Sequence, residues 1–264
     1  MEIQTSNLAP VGKAARVRSM FAEIAPRYDF LNSTLSLNID KRWRRFVIRK
    51  VADRLGGPDA RALDLCCGTA ELSLELGALA PTTGIDFCHP MLELGAKKIR
   101  GSQLPIDLVE GDALNVPFND STFDVVTVAF GLRNVDGAEA GLREIHRLLR
   151  SGGRGAVLEF SRPTVPVFRT LFHFYFTRLL PRIGNAVSGS SFAYQYLPES
   201  VQAFPDQTAL ASLMQTVGFS DVRYYNLFGG VACLHLGTKQ NQESQSSPAQ
   251  EQSTLSPPPH RRIT

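Results

Sequence analysis

Residues 63–72 read LDLCCGTAEL. An apolar run carrying one aspartate, a short turn and a helix-forming stretch make a strand, turn and helix start, the opening unit of a ligand-binding α/β sheet. The turn departs from a dinucleotide fingerprint. Cys66 and Cys67 stand where glycines would let backbone N–H groups close on a pyrophosphate, Ala70 follows, and only Gly68 remains. A pyrophosphate cradle is therefore not expected; a ligand with a ribose and no phosphate makes weaker demands.

Downstream of this turn, short apolar runs alternate with helical stretches, the pattern of a mostly parallel sheet. Strands are predicted at about 61–66, 82–86, 106–109, 123–129 and 155–160. A helix over 138–150 buries Leu142, Ile145 and Leu149 and closes at Ser151-Gly152-Gly153, where glycine takes the left-handed conformation. The final run, DVRYYNLFGGVACLHLGTK (221–239), is two strand-like segments around Gly229-Gly230 and reads as an antiparallel hairpin.

Upstream, Val17, Met20, Phe21 and Ile24 fall at helical spacing before a stop at Pro26. A second helix is expected from about Asp40 to Leu55, with Trp43, Phe46 and Val47 on one side and a basic row of Arg42, Arg45 and Arg49 on another. The turn GGPD (56–59) then divides an N-terminal helical cap (1–57) from a main domain (58–239). Residues 240–264, rich in Gln, Ser and Pro, read as a disordered tail.

With 264 residues, 43% of them apolar, the chain has ample core for one enzyme-sized domain. A net charge of +3 is too weak for a dedicated nucleic-acid binder, so no nucleic-acid partner is expected. The four cysteines form no CxxC pair and no metal-ligand set, so no metal is expected. The sequence shows neither a secretory apolar region nor a membrane-spanning run. The expectation is a cytoplasmic protein, touching the inner face of the membrane peripherally at most.

Two acids follow Asp64 at successive strand ends: Asp86, 22 residues on, and Asp112, 26 further. A carboxylate at the second position accepts from ribose hydroxyls, and one at the third reaches an adenine amino group. Asp64 either orients the turn beside Gly68 or meets the positive end of the ligand. Each aspartate alone is as well explained as a helix cap. Three around one pocket, with no glycine-rich cradle, suit a cationic adenosine without phosphate, which describes S-adenosylmethionine.

The chain also resembles the ubiquinone/menaquinone biosynthesis C-methyltransferase family over about residues 16–239. RYDFLNSTLSLNIDKRW (27–43) is similar to the family's first signature, with Asp40 where histidine is usual. RLLRSGGRGAVLEFS (147–161) is similar to the second, with Ser151 in place of proline. LDLCCGT (63–69), GDALNVPF (111–118) and FGLRN (130–134) lie between them. The resemblance implies a class I S-adenosylmethionine-dependent methyltransferase fold: α/β, Rossmann-like, a mostly parallel seven-stranded sheet with an antiparallel terminal hairpin, behind an N-terminal helical cap. Carried over by position, the cofactor contacts are Thr69, Asp86, Asp112 and Ala113. Ala129 replaces a serine that relatives often offer, leaving that contact absent or confined to backbone.

The implied reaction is methylation of a ring carbon on a polyprenylated quinol, most simply demethylmenaquinol to menaquinol. A ubiquinone-pathway methoxy-benzoquinol, or both substrates, fits the same residues. From another class, a non-catalytic quinone-binding or scaffold protein stays open. The candidate catalytic pair is Arg133, stabilising a quinolate, and Asn134, fixing a ring oxygen; the plainer reading of Arg133 is a loop residue bonding carbonyls. Tyr28 and Asp29, in the first signature, and Tyr194, in SFAYQYLPESVQAFP (191–205), are the candidate substrate contacts. An insert around 163–200, with an apolar helical face between Pro166 and Pro181, reads as lipid-facing. The sequence leaves the oligomeric state open.

Overall fold

The computed structural model describes residues 12–36, 38–164 and 191–240. Its centre is a seven-stranded sheet of β1 (Ala62–Leu65), β2 (Thr82–Asp86), β3 (Ile106–Glu110), β4 (Phe123–Ala129), β5 (Leu149–Phe160), β6 (Phe219–Leu227) and β7 (Ala232–Lys239). The spatial order is β3-β2-β1-β4-β5-β7-β6. All neighbours run parallel except β5·β7 and β6·β7. Every residue of β1 is buried, as in a strand covered on both faces. The chain leaves β1 toward β2 on one side and returns to β4 on the other. That reversal opens a crevice at the carboxyl ends of β1 and β4, where α/β sheets bind ligands.

Eight helices are described: α1 (Lys13–Ile24), α2 (Tyr28–Leu35), α3 (Ile39–Val51), α4 (Glu71–Gly77), α5 (His89–Arg100), α6 (Ala138–Leu148), α7 (Ser191–Ala203) and α8 (Gln207–Val217). In α1, Val17 and Met20 are buried against Val201 of α7. Helix α1 ends at Ile24, just ahead of Pro26, as the sequence predicts; the proline does not keep a further helix from following. It lies in a single tight turn, Ala25–Arg27, where its missing N–H has no cost, and a helix resumes at Tyr28. In α3, Trp43, Val47 and Val51 share one apolar cluster with Ala62, Leu158 and Leu234, so the N-terminal helices are continuous with the sheet's own core. Arg42, Arg45 and Arg49 are exposed on the opposite side, whereas Arg44 is buried.

One boundary differs from the sequence reading. Helix α6 ends at Leu148, and Leu149, in extended conformation, already begins β5. Ser151-Gly152-Gly153 therefore caps no helix. It forms the irregular start of the strand, between the pairs Phe123↔Leu149 and Val125↔Arg154. Gly152 does take positive φ (77°). A Cβ on Gly153 would lie 2.9 Å from the Arg150 carbonyl oxygen and 3.0 Å from that of Asp124, so backbones meet there. The predicted hairpin is present: Gly229 and Gly230, both at positive φ, turn β6 into β7. The segment read as lipid-facing, between Pro166 and Pro181, and the tail beyond residue 240 lie outside the described residues.

Candidate active site

The turn after β1 has glycine-like geometry without the glycines. Cys66, Gly68 and Ala70 have φ of 54°, 56° and 63°. For a residue with a Cβ this region costs about 1–2 kcal/mol. Tertiary contacts hold it: Cys67 N–H donates to the Ile85 carbonyl and Gly68 N–H to Asp86 Oδ2, each at 2.9 Å. Beneath the turn lies Asp64, 1% exposed, accepting from Ser73 Oγ at 2.7 Å and Thr127 Oγ1 at 2.9 Å. Both its oxygens are thus tied to α4 and β4.

Burial raises the Asp64 carboxyl to about 6, against the two hydroxyl bonds, which lower it. The folded chain therefore holds the Asp64 proton more tightly than the unfolded one, and this contribution to stability is lost as pH rises from 3.8 through about 6. At about 1.4 kcal/mol per tenfold change in proton affinity, the loss has a ceiling near 3 kcal/mol. Asp64→Asn, which has no charge to bury, is expected to gain up to that much relative to wild type between pH 4 and pH 7 in urea denaturation. A pH-independent difference would show that Asp64 is not the titrating group.

At the end of β2, Asp86 accepts from Gly68 N–H through Oδ2 and from Cys88 N–H through Oδ1, both at 2.9 Å. Burial pushes its carboxyl up as well. Asp112, beyond β3, is exposed and accepts from Leu114 N–H through Oδ1, and the half-buried Ala113 follows it. Thr69, 2% exposed, donates its hydroxyl to Asp29 Oδ1 at 2.6 Å and receives Lys98 Nζ at 3.1 Å. Asp29 also pairs with Lys98 at 2.6 Å. So the structure sets Asp29 on the cofactor turn, latching α2 over it. Above Gly68 a Cβ would meet only the Tyr28 ring, at 4.0 Å.

Carboxylates dominate the electrostatics at Cys66. Burial first, then Asp86, Asp64, Glu159 and Asp112 together raise its thiol well above its ordinary value. Glu159 is paired with Arg133, which leaves the three aspartates to favour a cationic ligand. This is the structural ground on which S-adenosylmethionine fits: Asp86 and Asp112 retain acceptor capacity for ribose and adenine donors, and the turn offers negative potential to a sulfonium.

The neighbouring turn after β4 carries a buried, ion-paired arginine. Phe130 (φ 58°) leads into a tight helical turn, Leu132–Asn134. Arg133 is 8% exposed at its side chain; its Nη1 donates to Glu159 Oε2 at 2.9 Å and to the Phe130 carbonyl. Its Nε is buried with no hydrogen-bond partner among the described residues. Asn134 donates weakly to the Phe130 carbonyl at 3.4 Å and accepts from Tyr196 Oη at 3.1 Å. Tyr28 and Tyr196 both lie in the Arg133 field, though burial dominates and raises each phenol. The two turns touch: a Cβ on Gly131 would fall 2.3 Å from Cys66 Cβ. Gly131→Ala is accordingly expected to cost about 1–3 kcal/mol by overpacking and to weaken cofactor binding. Thermal denaturation checks it, and Cys66→Gly in the same chain should restore stability by clearing the space.

The structure thus gathers Tyr28, Gly68, Asp86, Arg133 and Asn134 around one edge, with Asp64 below it and Asp112 at its rim. Tyr194 lies on α7, but its side chain is outside the described residues. Sequence reasoning missed Glu159, Tyr196 and Lys98. Glu159 had a signal, a lone acid in the apolar run AVLEF (156–160); the other two acquire their partners only through the fold.

Comparison with known proteins identifies the family. The model of the ubiE/COQ5 methyltransferase family matches residues 10–239. A ubiquinone/menaquinone biosynthesis C-methyltransferase UbiE from a Geobacter species is 47% identical over 233 residues, 86% of this chain and 97% of that protein. A demethylmenaquinone methyltransferase from Thermus thermophilus is 47% identical over 223 residues, 83% of this chain and 100% of that one. Among solved structures, a putative S-adenosyl-L-methionine-dependent methyltransferase from Methanococcus maripaludis aligns with TM-score 0.56 at 19% identity, covering 84% of this chain and 94% of that chain.

Proposed function

Since the chain belongs to the ubiE/COQ5 methyltransferase family, we propose that it methylates a ring carbon of a polyprenylated quinol, demethylmenaquinol to menaquinol, using S-adenosylmethionine. The observation that supports this most directly is the contact between the turn after β1, held over the buried Asp64 and Asp86, and the turn after β4, where Arg133 keeps a buried Nε–H. A cation and an oxyanion are the two partners such a pair accommodates. Naming of relatives as demethylmenaquinone methyltransferases favours the naphthoquinol.

Asp86, Asp112, Thr69, Ala113 and Gly68 would hold the cofactor, with Asp64 fixing the turn from below. Bound there, S-adenosylmethionine supplies an electrophilic methyl group whose bond to sulfur breaks as the sulfonium becomes a neutral thioether. Arg133 Nε–H donates to the quinolate oxygen, and Asn134 orients the ring. The quinolate's electron pair enters the new carbon–methyl bond, and the proton on that carbon leaves to water as the ring regains aromaticity. Tyr28, above Gly68, would cover the site from α2 and limit the access of bulk water.

Incubation with methyl-labelled cofactor and, separately, chemically reduced demethylmenaquinone and the demethylated ubiquinone precursor tests the reading. Label is expected in the naphthoquinol. Label in the benzoquinol alone would move the protein to the ubiquinone pathway, and label in neither, with cofactor bound, would favour a non-catalytic quinone-binding role.

A polyprenyl tail must reach the site from lipid. No helix among the described residues is long and apolar enough to cross a membrane. The reading adopted is a cytoplasmic protein in peripheral contact with the inner leaflet, and the exposed Lys41, Arg42, Arg45 and Arg49 on one side of α3 are its candidate contact. Replacing the three arginines by glutamate is expected to abolish co-sedimentation with phosphatidylglycerol vesicles while leaving turnover of detergent-dispersed quinol unchanged.

A further inference from the structure

The buried pair beneath the substrate side has one member that the reaction as written does not use. Glu159 is 1% exposed, at the carboxyl end of β5. It accepts from Arg133 N–H at 3.1 Å and Phe160 N–H at 3.0 Å, and from Arg133 Nη1 through both oxygens, at 3.2 and 2.9 Å. Both of its oxygens are thus engaged, Oε1 by the Arg133 backbone and guanidinium and Oε2 by the guanidinium and Phe160 N–H. It grips Arg133 twice, by backbone and by guanidinium. The guanidinium carbon lies 5.4 Å from the Phe160 ring centroid. What remains of Arg133 is a buried Nε–H with no acceptor among the described residues, and a buried donor left unpaired costs roughly 1–3 kcal/mol.

We propose that Glu159 is a positioning residue that turns Arg133 from a mobile cation into a fixed, charge-balanced donor, reserving Nε–H for an oxyanion of the acceptor. The inference rests on the quinol reading for the identity of that oxyanion, but not for its existence. Charge balance matters because the adjacent turn must hold a cationic cofactor. An uncompensated guanidinium would repel it, whereas the Glu159 pair presents a directional N–H with little net charge. The other ionisable groups shown to feel Arg133 are Tyr28 from α2 and Tyr196 from α7. Lys13 of α1 reaches the same turn, on the Arg133 carbonyl at 3.3 Å.

The test uses a chromophoric phenol, 4-nitro-1-naphthol, whose ionisation is read directly by absorbance in the intact protein. Its binding is followed by fluorescence of the sole tryptophan, Trp43, which lies 6.0 and 6.4 Å from the Phe130 and Phe160 rings. With Glu159→Gln, which removes the balancing charge but keeps the shape, the bound probe should ionise about 1–3 pH units lower than on wild type, and cofactor affinity should fall. For turnover, Glu159→Ala and Arg133→Ala should not multiply: the double variant should match Arg133→Ala within about twofold, as for groups acting as one unit. Glu159→Asp should recover part of the loss. An unshifted probe in Glu159→Gln, multiplicative losses, or a probe that does not bind wild type would each overturn the proposal. A shifted probe in a protein that methylates no quinol would uphold the oxyanion site and discard the quinol reading.

Discussion

Arg133→Ala is expected to lower kcat for methyl transfer about 10²–10³-fold, the usual consequence of removing one fixed donor from a developing or resident oxyanion. The cofactor dissociation constant should stay within a few-fold, because Arg133 belongs to the turn after β4 and the proposed cofactor contacts follow β1, β2 and β3. The variant also leaves Glu159 without its guanidinium. Two backbone donors, from residues 133 and 160, remain to it, so the stability loss should fall below the 3–5 kcal/mol typical of a fully stranded buried ion. Arg133→Lys is not a conservative control. An ammonium has the charge but cannot serve Glu159, the Phe130 carbonyl and an oxyanion from one rigid plane, so most of the loss should persist. Steady-state kinetics at saturating cofactor, with calorimetric binding alongside, separate the terms. A loss confined to cofactor affinity would instead place Arg133 on the cofactor's carboxylate.

This residue also shows how far the sequence could be read. The plain reading, an arginine bonding loop carbonyls, is present in Nη1, which takes the Phe130 carbonyl and Glu159; the functional one rests on Nε, which has no acceptor among the described residues. The sheet was legible because buried parallel strands are continuous apolar runs, and the hairpin because two glycines interrupt one. Helix α2 was hidden by Pro26, which reads as a stop yet sits comfortably in a first turn. The end of α6 was misplaced because glycines serve a strand irregularity as readily as a cap. Least legible was the turn that poses the question, since the left-handed Cys66 and Ala70 depend on Gly131, Asp86 and the packing of α5, all remote in sequence. The buried Arg44, paired with Asp40 at 2.9 Å and Glu71 at 3.5 Å, likewise looks from the sequence like one more member of a basic helix.

The second large effect is expected at Asp86, where alanine should weaken S-adenosylmethionine binding about 10²–10³-fold by calorimetry. Two losses combine. Gly68 and Cys88 N–H groups lose their acceptor in buried surroundings, at about 1–3 kcal/mol each, which loosens the turn even before ligand arrives. The site also loses one of the four carboxylates whose field reaches Cys66. Asp86→Asn separates the two, since an amide keeps the shape and one acceptor but no charge. The pH dependence supplies a sharper check. Burial raises the Asp86 carboxyl despite three backbone donors, so the folded chain starts to take up this proton above the ordinary carboxylate range. A sulfonium favours the ionised form, so binding should expel the proton. Wild-type affinity is therefore expected to fall as pH drops through the raised range of this carboxyl, with proton release on binding measurable in buffers of differing ionisation enthalpy; in Asp86→Asn both effects should shrink. Asp64, titrating near 6 and coupled to Asp86, is the one neighbour able to mimic this behaviour. Its two oxygens are already occupied by Ser73 and Thr127, so Asp64→Asn should alter stability against pH and leave most of the proton release in place. Abolition of the release in Asp64→Asn, and not in Asp86→Asn, would reverse the two assignments.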